Sequence, residues 1–249
     1  MKITKRARES LDRLTAEVLN GQWEDMALSA MLPADESISK LSFRNRLLVA
    51  DCSAAKTYKQ WKQEDGRQVR AGETARFLLR PFIVVGEDED DIKIIGYQHY
   101  AVFDLSQTDG PAYQVTGRQQ IDAFRLIEVA DKIGVRVDPA PVLCSIRGAA
   151  GTYNPDEERI RIGSPDELVY WHELGHAAHY RVDLDAQDRP KNIKEIVAHL
   201  VAGAIARTFG QSTGSEYLKE YADSPAADWE KGIALAAKAL DHILSQVTE

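Results

Sequence analysis

Residues 172–176 read His-Glu-Leu-Gly-His, and this pentapeptide constrains the chain more than any other feature of the sequence. Residues four positions apart share one face of an α-helix, so His172 and His176 can offer two imidazole nitrogens to one metal ion. Glu173 then lies beside that ion, where its carboxylate can take a proton from water. The pattern therefore predicts a zinc site with His172 and His176 as ligands and Glu173 as the general base.

The flanking sequence favours the helix that this pattern requires. Ser164 and Pro165 are typical of an N-cap and a first helical residue, and Glu167 follows three positions after the cap. Residues 159–162 alternate polar and apolar side chains, as a half-buried strand does. Three of the six histidines fall within residues 172–179, which favours a metal site over an exposed amphipathic helix that carries histidines by coincidence.

A hydrolytic zinc site has three protein ligands and leaves one position for water. Glu195 is the favoured third ligand, because it begins a second helical pattern, 192–201, that a short loop joins to the first helix. Two alternatives remain open at this point. Asn192 and Glu195 also fit a capping box, which would give Glu195 a structural role. His199, one turn later, is a rival ligand, and His179 is a weaker one.

The pattern of elements predicts an α+β fold in two domains. A cluster of turn residues at 108–111 separates them, so we expect domains at 1–113 and 114–249. Before the pentapeptide the sequence predicts helices over 3–19, 38–50 and 118–133, strands over 76–80 and 92–95 joined across the acidic run 87–91, extended chain over 97–105, and short strands within 135–162. Three or four helices complete the chain.

The sequence has no run of apolar residues long enough to cross a membrane. The basic amino terminus is not followed by the apolar segment of a secretion signal. Cys52 and Cys144 are far apart and belong to no C-x-x-C motif, so they fit free thiols in a reducing compartment. We therefore expect a cytoplasmic protein.

Residues 40–82 are locally basic in a chain whose net charge is −8. This segment has ten Lys or Arg against four Asp or Glu, a local charge of +6, and aromatic residues lie between the cations. Single-stranded nucleic acids bind to such surfaces, because cations contact phosphates and aromatic rings stack on bases. The alternative is that the aromatic residues are strand core and the cations ordinary surface. The candidate contacts are Phe43, Arg44, Asn45, Arg46, Lys59, Trp61, Lys62, Arg67, Arg70 and Arg76.

Several motifs together resemble the ArdC family of antirestriction proteins, which pair an N-terminal domain that binds single-stranded DNA with a C-terminal domain similar to zinc metallopeptidases. The resemblance extends from about residue 41 to about residue 200. The motifs that carry it are Ser-Phe-Arg-Asn-Arg-Leu-Leu at 42–48, Gly-Arg-Gln-Val-Arg-Ala-Gly-Glu at 66–73 after Trp61, residues 102–110, residues 151–155 and 160–162, the pentapeptide, and Lys-Glu-Ile-Val-Ala-His at 194–199.

The resemblance implies a small α+β domain that binds single-stranded DNA, followed by a mostly helical, zincin-like domain with a short antiparallel sheet. It places Glu195 at the family's acidic ligand position, whereas His199 stands where the family usually has an acid. The implied function is a Zn²⁺-dependent peptidase that acts on an unidentified protein or peptide, with Tyr153 or Tyr180 as donor to the oxyanion. The alternatives are a DNA-protecting protein with a non-catalytic metal site and a regulatory peptidase that cleaves a repressor.

Overall fold

The computed structural model describes residues 2–85, 92–117, 123–140, 149–213, 218 and 220–248. Helices and small sheets follow one another along the chain, so the predicted α+β class is confirmed. The chain divides into two compact units, 1–16 with 32–119 and 17–31 with 120–249. The finer division into independently folding domains at residue 113 stays a prediction.

The elements are numbered here in chain order. The helices are α1 (Lys5–Glu17), α2 (Trp23–Met31), α3 (Glu36–Ser39), α4 (Phe43–Leu48), α5 (Tyr58–Glu64), α6 (Ala123–Lys132), α7 (Glu167–Val182), α8 (Lys191–Thr208) and α9 (Ala226–Thr248). The strands are β1 (Lys2–Ile3), β2 (Ala55–Lys56), β3 (Gln68–Val69), β4 (Arg76–Val85), β5 (Ile92–Asp104), β6 (Thr108–Asp109), β7 (Arg136–Pro139), β8 (Gly151–Asn154) and β9 (Arg159–Ile162). Of the helices that the structure describes, none combines the length and the apolarity that a bilayer crossing needs.

The first unit is organised around a long antiparallel hairpin of β4 and β5. Pairing runs from Arg76 opposite Val102 to Val85 opposite Ile92. β1 joins β5 in parallel and β2 joins it antiparallel, while β3 and β6 form a separate pair. Both predicted strands of the hairpin are confirmed and are longer than the sequence pattern indicated. The acidic run at 87–91 lies outside the described residues.

The single helix predicted over 38–50 is wrong, because the chain forms two short helices, α3 and α4, there. The guanidinium of Arg46 donates hydrogen bonds to the carbonyl oxygens of Leu41 at 2.8 Å and Ser39 at 2.6 Å. These carbonyls lie where α3 ends, so a side chain of α4 satisfies acceptors that a continuous helix would have used internally.

In the second unit, α2, α7, α8 and α9 pack together, and α7 also contacts the sheet of β7, β9 and β8. β9 pairs in parallel with β7 and antiparallel with β8, so the sheet is mixed and the expected antiparallel sheet is wrong. A parallel pair needs a crossover of a dozen or more residues, and the chain between β7 and β9 is long enough for one. Among the described strands, β8 is at the edge of this sheet.

The N-cap of helix α7, which carries the pentapeptide, lies two residues later than predicted. Asp166 is the N-cap, and its carboxylate accepts a hydrogen bond from the Leu168 backbone N–H at 2.9 Å. The Ser164 hydroxyl accepts instead from the backbone N–H of Asp166 at 3.1 Å. The predicted helix itself is confirmed.

Gly175 allows the backbones of α7 and α8 to approach closely. A methyl group added at Gly175 would lie 2.9 Å from the Cα atom and 3.0 Å from the carbonyl oxygen of Ala198. Backbone atoms cannot rotate away as a side chain can, so any larger residue must push the helices apart. The glycine of the pentapeptide therefore sets the distance between the two helices.

We expect Gly175→Ala to destabilise the protein by about 1–3 kcal/mol, because the added methyl overpacks the helix contact. The free energy of unfolding in urea measures the change. Gly203→Ala on α8 is the matched control, since a methyl there meets only side chains, the nearest atom being Thr213 Oγ1 at 3.3 Å. Equal stability changes in the two variants would contradict the role given to Gly175.

Candidate functional site

Three side chains from α7 and α8 converge on one point. The Nε2 atoms of His172 and His176 lie 3.1 Å apart. Glu195 Oε2 lies 3.3 Å from His172 Nε2 and 3.7 Å from His176 Nε2. Tetrahedral coordination with bonds of about 2.0–2.2 Å places ligand atoms roughly 3.3–3.6 Å apart. The triangle of two imidazoles and one carboxylate therefore fits a single divalent cation.

His199 lies next to this triangle. Ligand atoms of His172, Glu195 and His199 all fall within 4.8 Å of one another, so these residues form a second group that could hold a metal. The rings of His199 and His172 have centroids 4.5 Å apart. Burial lowers the pKa of His199 to about 4, with smaller contributions from neighbouring charges, so the imidazole is neutral near pH 7. His172 and Glu195 belong to both groups, and we favour His176 as the third ligand because its Nε2 atom lies 3.1 Å from His172 Nε2 and 3.7 Å from Glu195 Oε2.

Glu173 is a buried carboxylate beside the ligand atoms, with only 7% of its surface exposed. The backbone N–H of Tyr153 on β8 donates a hydrogen bond to it. Burial is the main cause that raises the pKa of Glu173 to about 7; the charge of Glu195 adds to this shift, whereas His172 and the hydrogen bond from Tyr153 oppose it. A cation held by the ligands would lower this pKa again, because positive charge stabilises the carboxylate.

Gly151 gives that carboxylate its space. A methyl group added at Gly151 would lie 2.6 Å from Val169 Cγ1 and 3.1 Å from Glu173 Oε1. Strand β8 therefore passes directly against α7 at this point, and its backbone forms one wall of the site.

His179, which the sequence left as a weak rival ligand, has another role. It is fully buried, and its Nε2 atom lies 3.2 Å from Asp183 Oδ2. Asp183 in turn accepts two hydrogen bonds from Arg189, at 2.7 and 2.9 Å. The Arg189 guanidinium, together with the hydrogen bond from His179, holds the pKa of Asp183 well below its usual range. This network joins the end of α7 to the loop before α8 and so fixes where α8 begins.

The capping-box alternative for Glu195 does not form. The helix begins after Pro190, and the amide of Asn192 donates to Asp228 Oδ2 at 2.8 Å. The carboxylate of Glu195 faces the histidines of α7 instead. Its pKa is lowered because the two imidazoles hydrogen-bond to it.

Two clefts meet at His172 and Glu195, and both are also lined by Gly151 and Glu173. The first, of about 350 Å³, also contains Asp166 and Glu220 and is called the acidic cleft. The second, of about 410 Å³, also contains Tyr153, Tyr180 and Lys194 and is called the tyrosine cleft. An extended ligand can therefore pass the metal ligands with one end in each cleft.

In the first unit, three of the residues predicted to contact nucleic acid are buried. Phe43 and Trp61 have no exposed surface, and Asn45 is 7% exposed. The Asn45 side chain pairs with the backbone of Leu79 at 2.8 and 2.9 Å, and the Trp61 indole donates to the Phe103 carbonyl at 2.9 Å. These residues hold the unit together, and burial prevents them from stacking on bases. For them the sequence interpretation is corrected.

The predicted arginines contact other parts of the first unit. The carboxylates of Glu73 and Asp109 pair with Arg70. The remaining contacts are Arg46 to the end of α3, Arg67 to Thr108 and Pro111, Arg76 to Asp51, and Arg44 over the Tyr97 ring. Lys59 and Lys62 on α5 are exposed. The basic segment thus supplies mainly internal contacts.

A cleft of about 630 Å³ in the first unit, here called the Tyr100 cleft, brings cations next to two tyrosine rings and is also lined by the carboxylates of Asp35, Glu36 and Glu64. The Arg80 guanidinium lies 5.1 Å from the centre of the Tyr100 ring, and the Lys56 ammonium lies 5.2 Å from the centre of the Tyr113 ring. Both tyrosines lie beyond the basic segment 40–82, so the charge pattern of the sequence did not indicate them. The register of the hairpin explains the pair of Arg80 and Tyr100. Leu78 lies directly opposite Tyr100, so Arg80, two residues further along β4, is the diagonal neighbour of Tyr100 across the two strands.

Comparison with solved structures agrees with this architecture. The metal-free crystal structure of the antirestriction protein ArdC from plasmid R388 aligns with 96% of this chain and 97% of its own, with a TM-score of 0.61 and 20% identity. This chain has the fold of ArdC. The Mn(II)-bound structure of ArdC gives the same TM-score at 19% identity over 97% of this chain and 98% of its own. No family model and no curated protein matches the sequence. The resemblance seen in the motifs is thus confirmed at the level of the fold.

We expect His172→Ala and Glu195→Ala each to weaken binding of Zn²⁺ and Mn²⁺ by at least about 100-fold, because each removes one corner of the triangle. Metal titration followed by elemental analysis measures the loss. His199→Ala should weaken binding less, and His99→Ala in the first unit is the control. If His199→Ala abolished metal binding and His176→Ala retained it, His199 would replace His176 as a ligand.

Proposed function

We propose that this protein is a metal-dependent peptidase of the ArdC type that also binds single-stranded DNA. His172, His176 and Glu195 would hold the metal, and Glu173 would act as the general base. The observation that carries the proposal is the triangle of ligand atoms at 3.1–3.7 Å beside a buried carboxylate. The likeness to ArdC supports an antirestriction role.

Zn²⁺ is the favoured metal, because two histidines and one glutamate form a common ligand set of catalytic zinc. The Mn(II) in the ArdC crystal makes manganese the second candidate. When bound, either ion would supply Lewis acidity, which polarises a peptide carbonyl and makes water a stronger acid.

Glu173 is suited to carry a proton in both directions. Burial raises the pKa of its carboxyl group and a bound cation would lower it again, so the carboxylate would be ionised beside the metal and able to accept a proton. The hydrogen bond from the Tyr153 backbone orients the carboxylate, and the absence of a side chain at Gly151 leaves room for it. Glu173 would receive the proton of water and deliver it to the leaving amine.

Strand β8 supports a peptide as the substrate. It is an edge strand among the described residues, and residues 151–153 line the tyrosine cleft. An extended peptide can pair with such an edge through backbone hydrogen bonds alone. The hydroxyls of Tyr153 and Tyr180, in the same cleft, are the candidate donors to the oxyanion.

The Tyr100 cleft supports binding of single-stranded DNA by the first unit. Arg80 beside Tyr100 combines a cation for phosphates with a ring face for bases, and stacking on an aromatic face contributes about 1–3 kcal/mol per base.

His199 favours a second candidate function. Were it to join the other three side chains at the metal, four protein ligands would close the coordination sphere, as in structural zinc sites. The protein would then protect DNA by binding single strands, with a metal that stabilises the fold.

The variant Glu173→Gln separates the two candidates. If the protein is a peptidase, Glu173→Gln should lower peptide hydrolysis by about 10²–10⁴-fold while metal content and DNA binding stay unchanged. Cleavage of a peptide library followed by mass spectrometry measures the rate. Glu167→Gln, an exposed glutamate on the same helix, is the control. Undiminished hydrolysis in Glu173→Gln would exclude the proposed base, and an antirestriction effect that survives in this variant would favour the DNA-protecting protein.

Tyr100→Ala and Arg80→Ala should each weaken binding of single-stranded DNA, Tyr100→Ala by roughly 5- to 150-fold if one base stacks on the ring. Fluorescence anisotropy with a labelled oligothymidine at two salt concentrations measures affinity, which should fall as salt rises. Tyr58→Ala is the control, because Tyr58 is exposed on α5 and does not line the cleft. Equal losses in Tyr58→Ala and Tyr100→Ala would contradict the assignment of the cleft.

A further inference from the structure

The two clefts at the metal ligands carry opposite charge. Among the described residues of the tyrosine cleft, Lys194 is the one charged side chain besides the ligands and Glu173. Among those of the acidic cleft, Asp166 and Glu220 are the corresponding charges. A ligand that occupies both clefts therefore meets a cation at one end and two carboxylates at the other.

The charge of Lys194 is not neutralised by an acidic partner. Its ammonium donates to the Gln187 carbonyl oxygen at 2.7 Å and approaches the Tyr180 hydroxyl at 3.4 Å. Within the described part of the chain, no carboxylate oxygen forms a salt bridge with it, whereas Lys56 of the first unit pairs with Asp65 at 2.8 Å. Both partners of Lys194 are neutral, so its full charge is available to a ligand.

The ammonium is also held in a defined position. The Lys194 Nζ atom lies 5.8 Å from the centre of the Tyr180 ring, and that ring packs edge-on against Tyr153. The Tyr180 hydroxyl donates to Gln187 Oε1 at 3.2 Å. A cation that is already ordered loses little conformational entropy when it binds an anion.

We propose that Lys194 binds a carboxylate of the peptide substrate in the tyrosine cleft and thereby selects substrates and their direction across the metal. This inference rests on the proposed function and extends it. The carboxylate is either that of an Asp or Glu side chain or that of a free carboxyl terminus, since both offer the same two oxygens to the ammonium. The acidic cleft repels the same group, so a basic residue of the substrate belongs there.

Peptide binding to the full chain carrying Glu173→Gln tests the proposal without hydrolysis. Three fluorescent peptides of equal length are compared: one with a glutamate and an amidated end, one neutral with a free carboxyl terminus, and one neutral with an amidated end. Anisotropy is measured on metal-free and Zn²⁺-loaded protein. We expect about tenfold tighter binding of at least one carboxylate peptide than of the neutral amide, as a charged hydrogen bond at a half-buried site gives.

That preference should disappear in Lys194→Ala and Lys194→Met and persist in Lys194→Arg. Lys191→Ala is the matched control, because Lys191 is exposed on the same turn of α8 and lines neither cleft. Tighter binding of the glutamate peptide would indicate that Lys194 binds an acidic side chain. Tighter binding of the peptide with a free carboxyl terminus would indicate that it binds the terminal carboxylate. A preference that is absent, or that survives in both Lys194→Ala and Lys194→Met, would overturn the inference.

The proposed activity and this inference fail in different ways. If the wild-type chain hydrolyses no peptide but the Glu173→Gln protein prefers carboxylate peptides in a way that depends on Lys194, the proposed peptidase activity is excluded and the carboxylate site is supported. If the wild-type chain and Lys194→Ala both hydrolyse all three peptides equally well, the proposed peptidase activity is supported and the carboxylate site at Lys194 is excluded. Failure of all three peptides to bind would also overturn it.

Discussion

The candidate metal site depends on the close contact between α7 and α8 at Gly175. The histidines belong to one helix and the glutamate to the other, so the distance between helices determines whether three ligand atoms can share an ion. Ala198 lies against Gly175 so tightly that a methyl group on that glycine would come within 2.9 Å of its Cα atom. Close-packed interiors transmit such strain instead of absorbing it. The fourth residue of the pentapeptide is therefore as much a part of the site as its two histidines.

Charged and ionisable side chains surround this contact. The buried carboxylate of Glu173 lies next to the triangle of ligand atoms. Further along the chain, the His179–Asp183–Arg189 network fixes the loop that leads into α8. The backbone of β8 donates to Glu173, whereas the network is made of side-chain hydrogen bonds from His179 and Arg189 to Asp183. These contacts orient Glu173 and the start of α8 before any substrate binds.

The first unit shows how the same residue types serve a different purpose. Phe43, Asn45 and Trp61 belong to motifs that resemble a DNA-binding family, yet they are buried and form internal hydrogen bonds. In the Tyr100 cleft, by contrast, Arg80 lies over the Tyr100 ring and Lys56 over the Tyr113 ring. A sequence segment that is both basic and aromatic does not reveal which of its side chains face solvent, since burial depends on elements far away in the chain.

The sequence by itself determined the helix of the pentapeptide, the hairpin of β4 and β5, the α+β class and the placement of His172 and His176 on one helix face, because each follows from local periodicity or from spacing along one helix. It left Glu195 and His199 as alternatives for the third ligand, since both lie on another helix. Tertiary structure alone decided the break between α3 and α4, the parallel pairing of β7 with β9, the position of His199 beside the triangle and the opposite charges of the two clefts. These features depend on contacts between residues distant in sequence, whose energies no local pattern contains. Gly175 belongs to both groups of features. The sequence shows a glycine in the pentapeptide, but only the packing of α7 against α8 shows why no larger residue fits there.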